Sequence, residues 1–196
     1  MQGPPVSKSD EQLLAQARLD DRAALGELLT RHQPRLLGLC RAMIGQSLAD
    51  DVCQDAMVSI IRGLPNFAGH AAFSTWATRI AINACHARRR SEKTRLGGIL
   101  QGAVSGIATQ TGELLQPERI QRSGQAVALA RAVDALAEEF RTVLILRDVH
   151  GLEYEELGAV LGLPIGTVKS RLFRARTALR DVLGTDESEV HSTKLT

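Results

Sequence analysis

The chain has 196 residues, room for one ordinary domain or two small ones. Hydrophobic residues make up 44% but aromatics only 3%, so Leu, Ala, Ile and Val must pack the core, which favours an all-α fold over a sheet. The net charge of +2 is too small to define a partner class by itself, no apolar run approaches the ~20 residues of a membrane span, and no signal-peptide pattern opens the chain, so a cytoplasmic protein is expected.

The predicted elements run as follows. Residues 1–8 read as a disordered leader. Ser9 with Gln12 three residues on resembles a capping box, and Leu13, Leu14, Ala17, Leu25, Leu28 and Leu29 continue at helical spacing. Pro34 should break or restart that helix, with Leu36, Leu37, Cys40 and Ile44 carrying the next stretch to Gly45. Ser47 and Asp50 should open a third helix, ending near Pro65, whose buried stripe is Val52, Cys53, Ala56, Met57 and Ile60. That stripe leaves Asp51, Gln54, Asp55 and Arg62 outward. "NFAGHAAF" is a glycine-containing loop, and Ser74 starts a long helix ending in "ARRRSEKTR". Residues 96–124 are rich in Gly, Thr, Gln and Ser without a sustained period and read as a linker. Residues 125–184 are helical again, and 185–196 look like a disordered polar tail. The organisation is two small helical domains, 9–95 and 125–184, on a flexible tether.

In the second domain "GLPIG" is a short glycine-bearing turn of the kind that joins the helices of a helix-turn-helix. On the helix after it, at about 100° per residue, Val168, Leu172, Ala175 and Leu179 share one side. Ser170, Phe173, Arg174 and Thr177 share the other, flanked by Lys169 and Arg171. Lys169–Arg180 holds five basic residues and no acid, whereas Asp134–Glu156 holds seven acids and two arginines. A plain solvated face would explain the arginines but not an outward ring at Phe173; a face that meets phosphates and a base or sugar explains both. In the first domain the loop feeds a helix ending in Arg88, Arg89, Arg90, Lys93 and Arg95. Such a pairing can offer a pocket for an unstacked base beside a positive track for a single strand.

These motifs carry a family resemblance. "RTVLILRDVHGLEYEELGAVLGLPIGTVKSRLFRAR" is similar to the fourth region of bacterial sigma factors, in the extracytoplasmic-function (ECF) group of the sigma-70 family. The resemblance implies that its last helix enters the major groove at the minus-thirty-five element. Contacts to bases or phosphates then fall to Thr167, Lys169, Ser170, Arg171, Phe173 and Arg174. "DDVCQD" resembles the second region, and implies that Asp51, Gln54 and Asp55 dock on the coiled coil of the largest RNA polymerase subunit. "NFAGHAAFSTWATRIAIN" is similar to the loop and helix that capture a flipped minus-ten base. That implies minus-ten contacts for Phe67, Gly69, His70, Phe73, Arg79, Asn83, Arg88, Arg89 and Arg90, with Trp76 expected as a core anchor. The chain departs from the family's habits at Met57, Ile61, Ala87, Ala137 and Glu153.

The implied function is promoter-specific initiation with core polymerase, touching its coiled coil and flap region, in response to a stress or envelope signal. The implied partners are promoter DNA and an anti-sigma factor that can hold the protein at the inner membrane face. No catalytic residue, metal or cofactor is expected: Cys40, Cys53 and Cys85 lack metal-ligand spacing and read as reduced thiols. Two other classes stay open at this level. A freestanding helix-turn-helix repressor or activator would leave "DDVCQD" and the aromatic loop without a use. A DNA-processing enzyme would need clustered carboxylates, for which Asp50, Asp51 and Asp55 are the only candidates.

Overall fold

The computed structural model describes the backbone of residues 8–102 and 128–192 and the side chains of 8–95 and 128–183. Within them no strand occurs. The helices are α1 (Asp10–Ala17), α2 (Arg22–Ile44), α3 (Gln46–Gly63), α4 (Phe73–Gly102), α5 (128–135), α6 (Glu138–Leu144), α7 (Tyr154–Leu161) and α8 (Ile165–Ser192). By contacts the chain forms two units, one of residues up to Glu92 with Glu155–Leu163, the other of Lys93–Tyr154 with Pro164 onward.

In the first unit α1 and α2 are separate helices, against the expectation of one. Arg18 closes α1, Asp20 takes a left-handed φ of 63°, and the Asp21 carboxylate accepts from the amides of Ala23 and Ala24 at 2.9 and 3.0 Å. An aspartate N-cap stabilises a helix start by ~1 kcal/mol, so the adjacent acids in "RLDDRA" were the missed signal. The capping box at Ser9 and Gln12 forms as expected.

Pro34, expected to break the helix, lies inside α2. An internal proline costs about 3 kcal/mol. Leu28, Leu36, Leu39 and Met43 are buried on either side of it, and each such side chain contributes ~1.5–3 kcal/mol. Pro34 faces solvent, where water can satisfy the carbonyl it leaves open. α3 starts at Gln46 behind Gly45, which has φ 83°, with no side-chain cap, so the expected Ser47–Asp50 cap does not form. Its buried residues are Ala49, Val52, Cys53, Ala56 and Ile60.

The backbone of α4 continues to Gly102, beyond the expected linker start at Leu96; residues 103–127 lie outside the description, as do 1–7 and 193–196. α8 runs to Ser192, where a disordered tail was expected from 185. Gly184 weakens the helix there but does not end it, since propagating an existing helix needs no new nucleus.

In the second unit Ala137 begins α6 with φ −54° and no side-chain cap. Arg141 stabilises this junction from inside. Although 3% exposed, it donates from Nη1 to the carbonyl of Asp134 at 2.9 Å. α6 widens into a π-helical turn, Ile145–Val149, and packs against α8.

Candidate nucleic-acid interface

α8 presents its sequence pattern in three dimensions. Val168, Leu172 and Ala175 are buried, Leu179 is half-buried, and Lys169, Ser170, Phe173 and Arg174 are exposed. Phe173 is 72% exposed although its chain neighbour Leu172 is 2% exposed. Thr167 is half-buried, and the Ser170 hydroxyl donates to the Thr167 carbonyl at 2.9 Å.

The basic residues of α8 divide into two sets. Arg171 pairs with Glu139 at 2.8 Å and Arg176 with Asp148 at 2.6 Å, so those two charges are answered from α6 and the turn that follows it. Arg171, expected at DNA, is thereby drawn toward the protein. Lys169 sits 5.4 Å from the centre of the Tyr154 ring, and Arg174 projects to solvent. The acids of Asp134–Glu156 thus hold selected arginines in place. Arg147 is held in the same way, 3.0 Å from Glu153 at the start of α7.

In the first unit the loop after α3 is bracketed by rings. Phe67 and Phe73, expected at the minus-ten DNA, are only 6% and 5% exposed. Their rings meet at 6.3 Å, and Trp76 packs on Phe67 at 4.8 Å and on Phe73 at 5.8 Å. Both phenylalanines are buried and pack together with Trp76 beneath the loop. Gly63 allows the indole to approach: a Cβ there would stand 2.9 Å from Trp76 Cζ2. Gly69, with φ 78°, and His70 are exposed at the loop crest, and Asn83 is exposed on α4.

The basic run on α4 is also partly committed. Arg89 donates to the Met43 carbonyl at 3.0 Å, tying α4 to the end of α2, and Arg88 pairs with Glu92 at 3.2 Å. Arg90 is exposed. Arg79 donates within the same unit to the carbonyls of Ala159 and Val160, at 2.9 Å for the latter. Nothing in the sequence marked these carbonyl partners, because backbone acceptors carry no residue-type signal.

On α3, Asp51, Gln54 and Asp55 are exposed on one side of the helix, with Val58 and Ile61 also exposed further along. Cys40, Cys53 and Cys85 are buried and free, and each of the other two thiols influences the titration of Cys40. Hydrogen bonding with Cys85, then burial, pushes the Cys40 thiol far up, while burial beside Cys40 raises Cys53 to about 11. Neutral, inaccessible thiols are poor nucleophiles and poor ligands. Among the described residues no group of His, Cys, Asp and Glu is arranged to hold a metal ion, and no helix is long and apolar enough to cross a membrane.

Comparison with known families matches residues 28–95 to sigma-70 region 2 and residues 126–179 to sigma-70 region 4. Both helical parts of the chain are therefore sigma-70 regions. The ECF RNA polymerase sigma-E factor of Escherichia coli strain K12 is 31% identical over 176 residues, covering 87% of this chain and 92% of that protein. The RNA polymerase sigma-H factor of Pseudomonas aeruginosa is 32% identical over 192 residues, 91% of this chain and 95% of the relative. Among solved structures, CnrH in complex with the cytosolic domain of CnrY superposes with a TM-score of 0.65 at 27% identity, covering 91% of this chain and 99% of that one. The chain belongs to the ECF group of the sigma-70 family: it is an RNA polymerase sigma factor, a specificity subunit without catalysis of its own.

Proposed function

We propose that the chain directs initiation through two working parts, residues 9–95 at the core polymerase and the minus-ten element and residues 125–184 at the minus-thirty-five element. In the second part Lys169, Phe173 and Arg174 meet bases or phosphates in the major groove, with Thr167 and Ser170 beside them, while Arg171 sets the angle of α8 through Glu139. In the first, Gly69, His70 and Asn83 receive the extruded minus-ten base. Phe67 and Phe73 shape that pocket, and Arg88, Arg89, Arg90 and Arg79 belong to the basic surface beside it. Asp51, Gln54 and Asp55 dock on the coiled coil of the largest subunit. The single observation that carries this reading is Phe173, a ring 72% exposed on an acid-free stretch of helix whose opposite side is buried.

The two-part design follows from affinity. A small domain with a handful of phosphate contacts binds DNA on the order of micromolar or weaker at physiological salt. A tether raises effective concentration usefully only where geometry lets both sites engage, and a bulky enzyme that grips both parts supplies that geometry. A protein working this way acts in the cytoplasm and responds to a stress or envelope signal through an anti-sigma factor. That last partner is suggested by a sigma factor of the same fold, RpoE of Bartonella quintana, whose structure was determined with the anti-sigma factor NepR. Run-off transcription with bacterial core polymerase, with and without the chain, tests the reading. Promoter-specific transcripts that depend on the chain support it; none at any promoter overturns it.

A further inference from the structure

α1 lies outside the segment matched to sigma-70 region 2, yet its C-cap Arg18 meets Phe67 at one end of the 67–73 loop and its first residue Asp10 reaches Phe73 at the other through His32 of α2. At its start the Asp10 carboxylate accepts from Arg31 Nη1 at 2.7 Å and lies 2.6 Å from Nε2 of His32. His32, with its side chain 14% exposed, sets its ring edge against Phe73, 5.1 Å between centroids at 63°. At the far end of α1 the Arg18 guanidinium lies over the Phe67 ring, 5.6 Å from its centre. Phe67 and Phe73 bound the loop, and both pack on Trp76. Between the two contacts Leu13 and Ala17 are buried, and α1 packs along α2. α1 is therefore fastened by its own core residues and by an ion pair, and bears on Phe67 through Arg18 and on Phe73 through His32.

We propose that α1 is a brace for minus-ten capture, with Asp10, His32 and Arg18 as positioning residues that fix Phe73 and Phe67 and so set how readily the holoenzyme opens a promoter. The inference rests on the assignment of the 67–73 loop to base capture. Extruding a base from its stack is costly, and a pocket whose walls are already placed does not add the cost of ordering them. Arg31 keeps a second partner in Glu27 at 3.0 Å, so loss of the Asp10 charge falls chiefly on His32.

The test uses holoenzyme carrying Asp10→Asn, Arg18→Gln or both, on one promoter as a duplex and as the same promoter mismatched across the minus-ten region. Each single change should slow open-complex formation on the duplex by about threefold to fivefold, the loss of one charge-assisted contact shared between positioning and stability. The double change should slow it by more than about tenfold. On the mismatched template the effect should shrink to about twofold or less, since the unstacking is already done. Affinity for core polymerase should stay unchanged, and Asp10→Glu should recover most of the rate. The fluorescence of Trp76, the one tryptophan of the chain, should become more open to a soluble quencher in the double variant.

His70→Ala with Asn83→Ala separates the brace from the loop assignment beneath it. If that pair slows opening while the Asp10 and Arg18 variants open at the unmodified rate, the brace is overturned and base capture by the loop stands. If neither set slows opening, the loop assignment fails and the brace fails with it. Slowing on both templates together with weaker core binding would mark a general loss of fold, and would overturn the positioning role.

Discussion

Arg171 Nη2 lies 2.8 Å from Glu139 Oε2, so one charge on the outer side of α8 is answered by its own unit before any DNA arrives. Arg174, three residues on, is exposed. The two arginines should therefore respond differently to substitution. Arg174→Ala should cost ~1–3 kcal/mol of promoter affinity if it meets a base, or lower the salt slope by about one if it meets a phosphate. Arg171→Ala should leave the slope nearly unchanged and lower stability by roughly 1 kcal/mol or less, as an exposed ion pair would. Glu139→Gln should release Arg171 and steepen the slope by about one. Holoenzyme binding to one promoter over a salt series measures all three.

Asp51→Ala with Gln54→Ala removes two exposed side chains from α3 without touching its buried stripe. The double variant should keep its melting temperature within the shift expected of a surface change of roughly ±0.5 kcal/mol, while its affinity for core polymerase falls at least about tenfold, as for a truncated interface hot spot. A native affinity would remove the docking assignment.

Gly63→Ala places a methyl 2.9 Å from Trp76 Cζ2. The indole must then shift within its packing against Phe67 and Phe73, which should cost ~1–3 kcal/mol as overpacking does. Urea unfolding followed by Trp76 fluorescence reads both the loss of stability and the changed ring environment.

The thiols supply a pH test. Burial beside Cys40 raises Cys53 from 9.0 to about 11 in the folded protein. A folded state that keeps its proton longer than the unfolded chain loses stability as pH rises. This contribution should be fully present below pH 9 and decline through about 11. Cys53→Ala should flatten the loss of melting temperature over that range, and a thiol reagent should label the native protein only at the rate of its opening.

Periodicity revealed the elements wherever a side chain's own chemistry decided its place. The stripes of α3 and α8 follow from apolar spacing, and the exposed Asp51, Gln54, Asp55, Phe173 and Arg174 follow as their complements. What stayed hidden depended on contacts between residues distant in the chain. Pro34 sits inside α2 because burial on both sides outweighs its local cost. Phe67 and Phe73 look like exposed loop aromatics until Trp76, His32 and Arg18 are brought to them. Arg89 looks like one more cation in a run, and only the fold shows it bonded to the Met43 carbonyl. The three cysteines, spread over residues 40–85, converge in a way that no local spacing announces.

Dependence of promoter binding on polymerase is measured by comparing the affinity of the purified chain alone with that of the chain bound to core polymerase, on the same duplex at physiological salt. The chain alone should bind on the order of micromolar or weaker, with little selectivity. With core present, binding should be selective and tighter by at least about a thousandfold, accompanied by strand opening. Tight, selective binding by the chain alone, with no initiation once polymerase is supplied, would contradict that dependence.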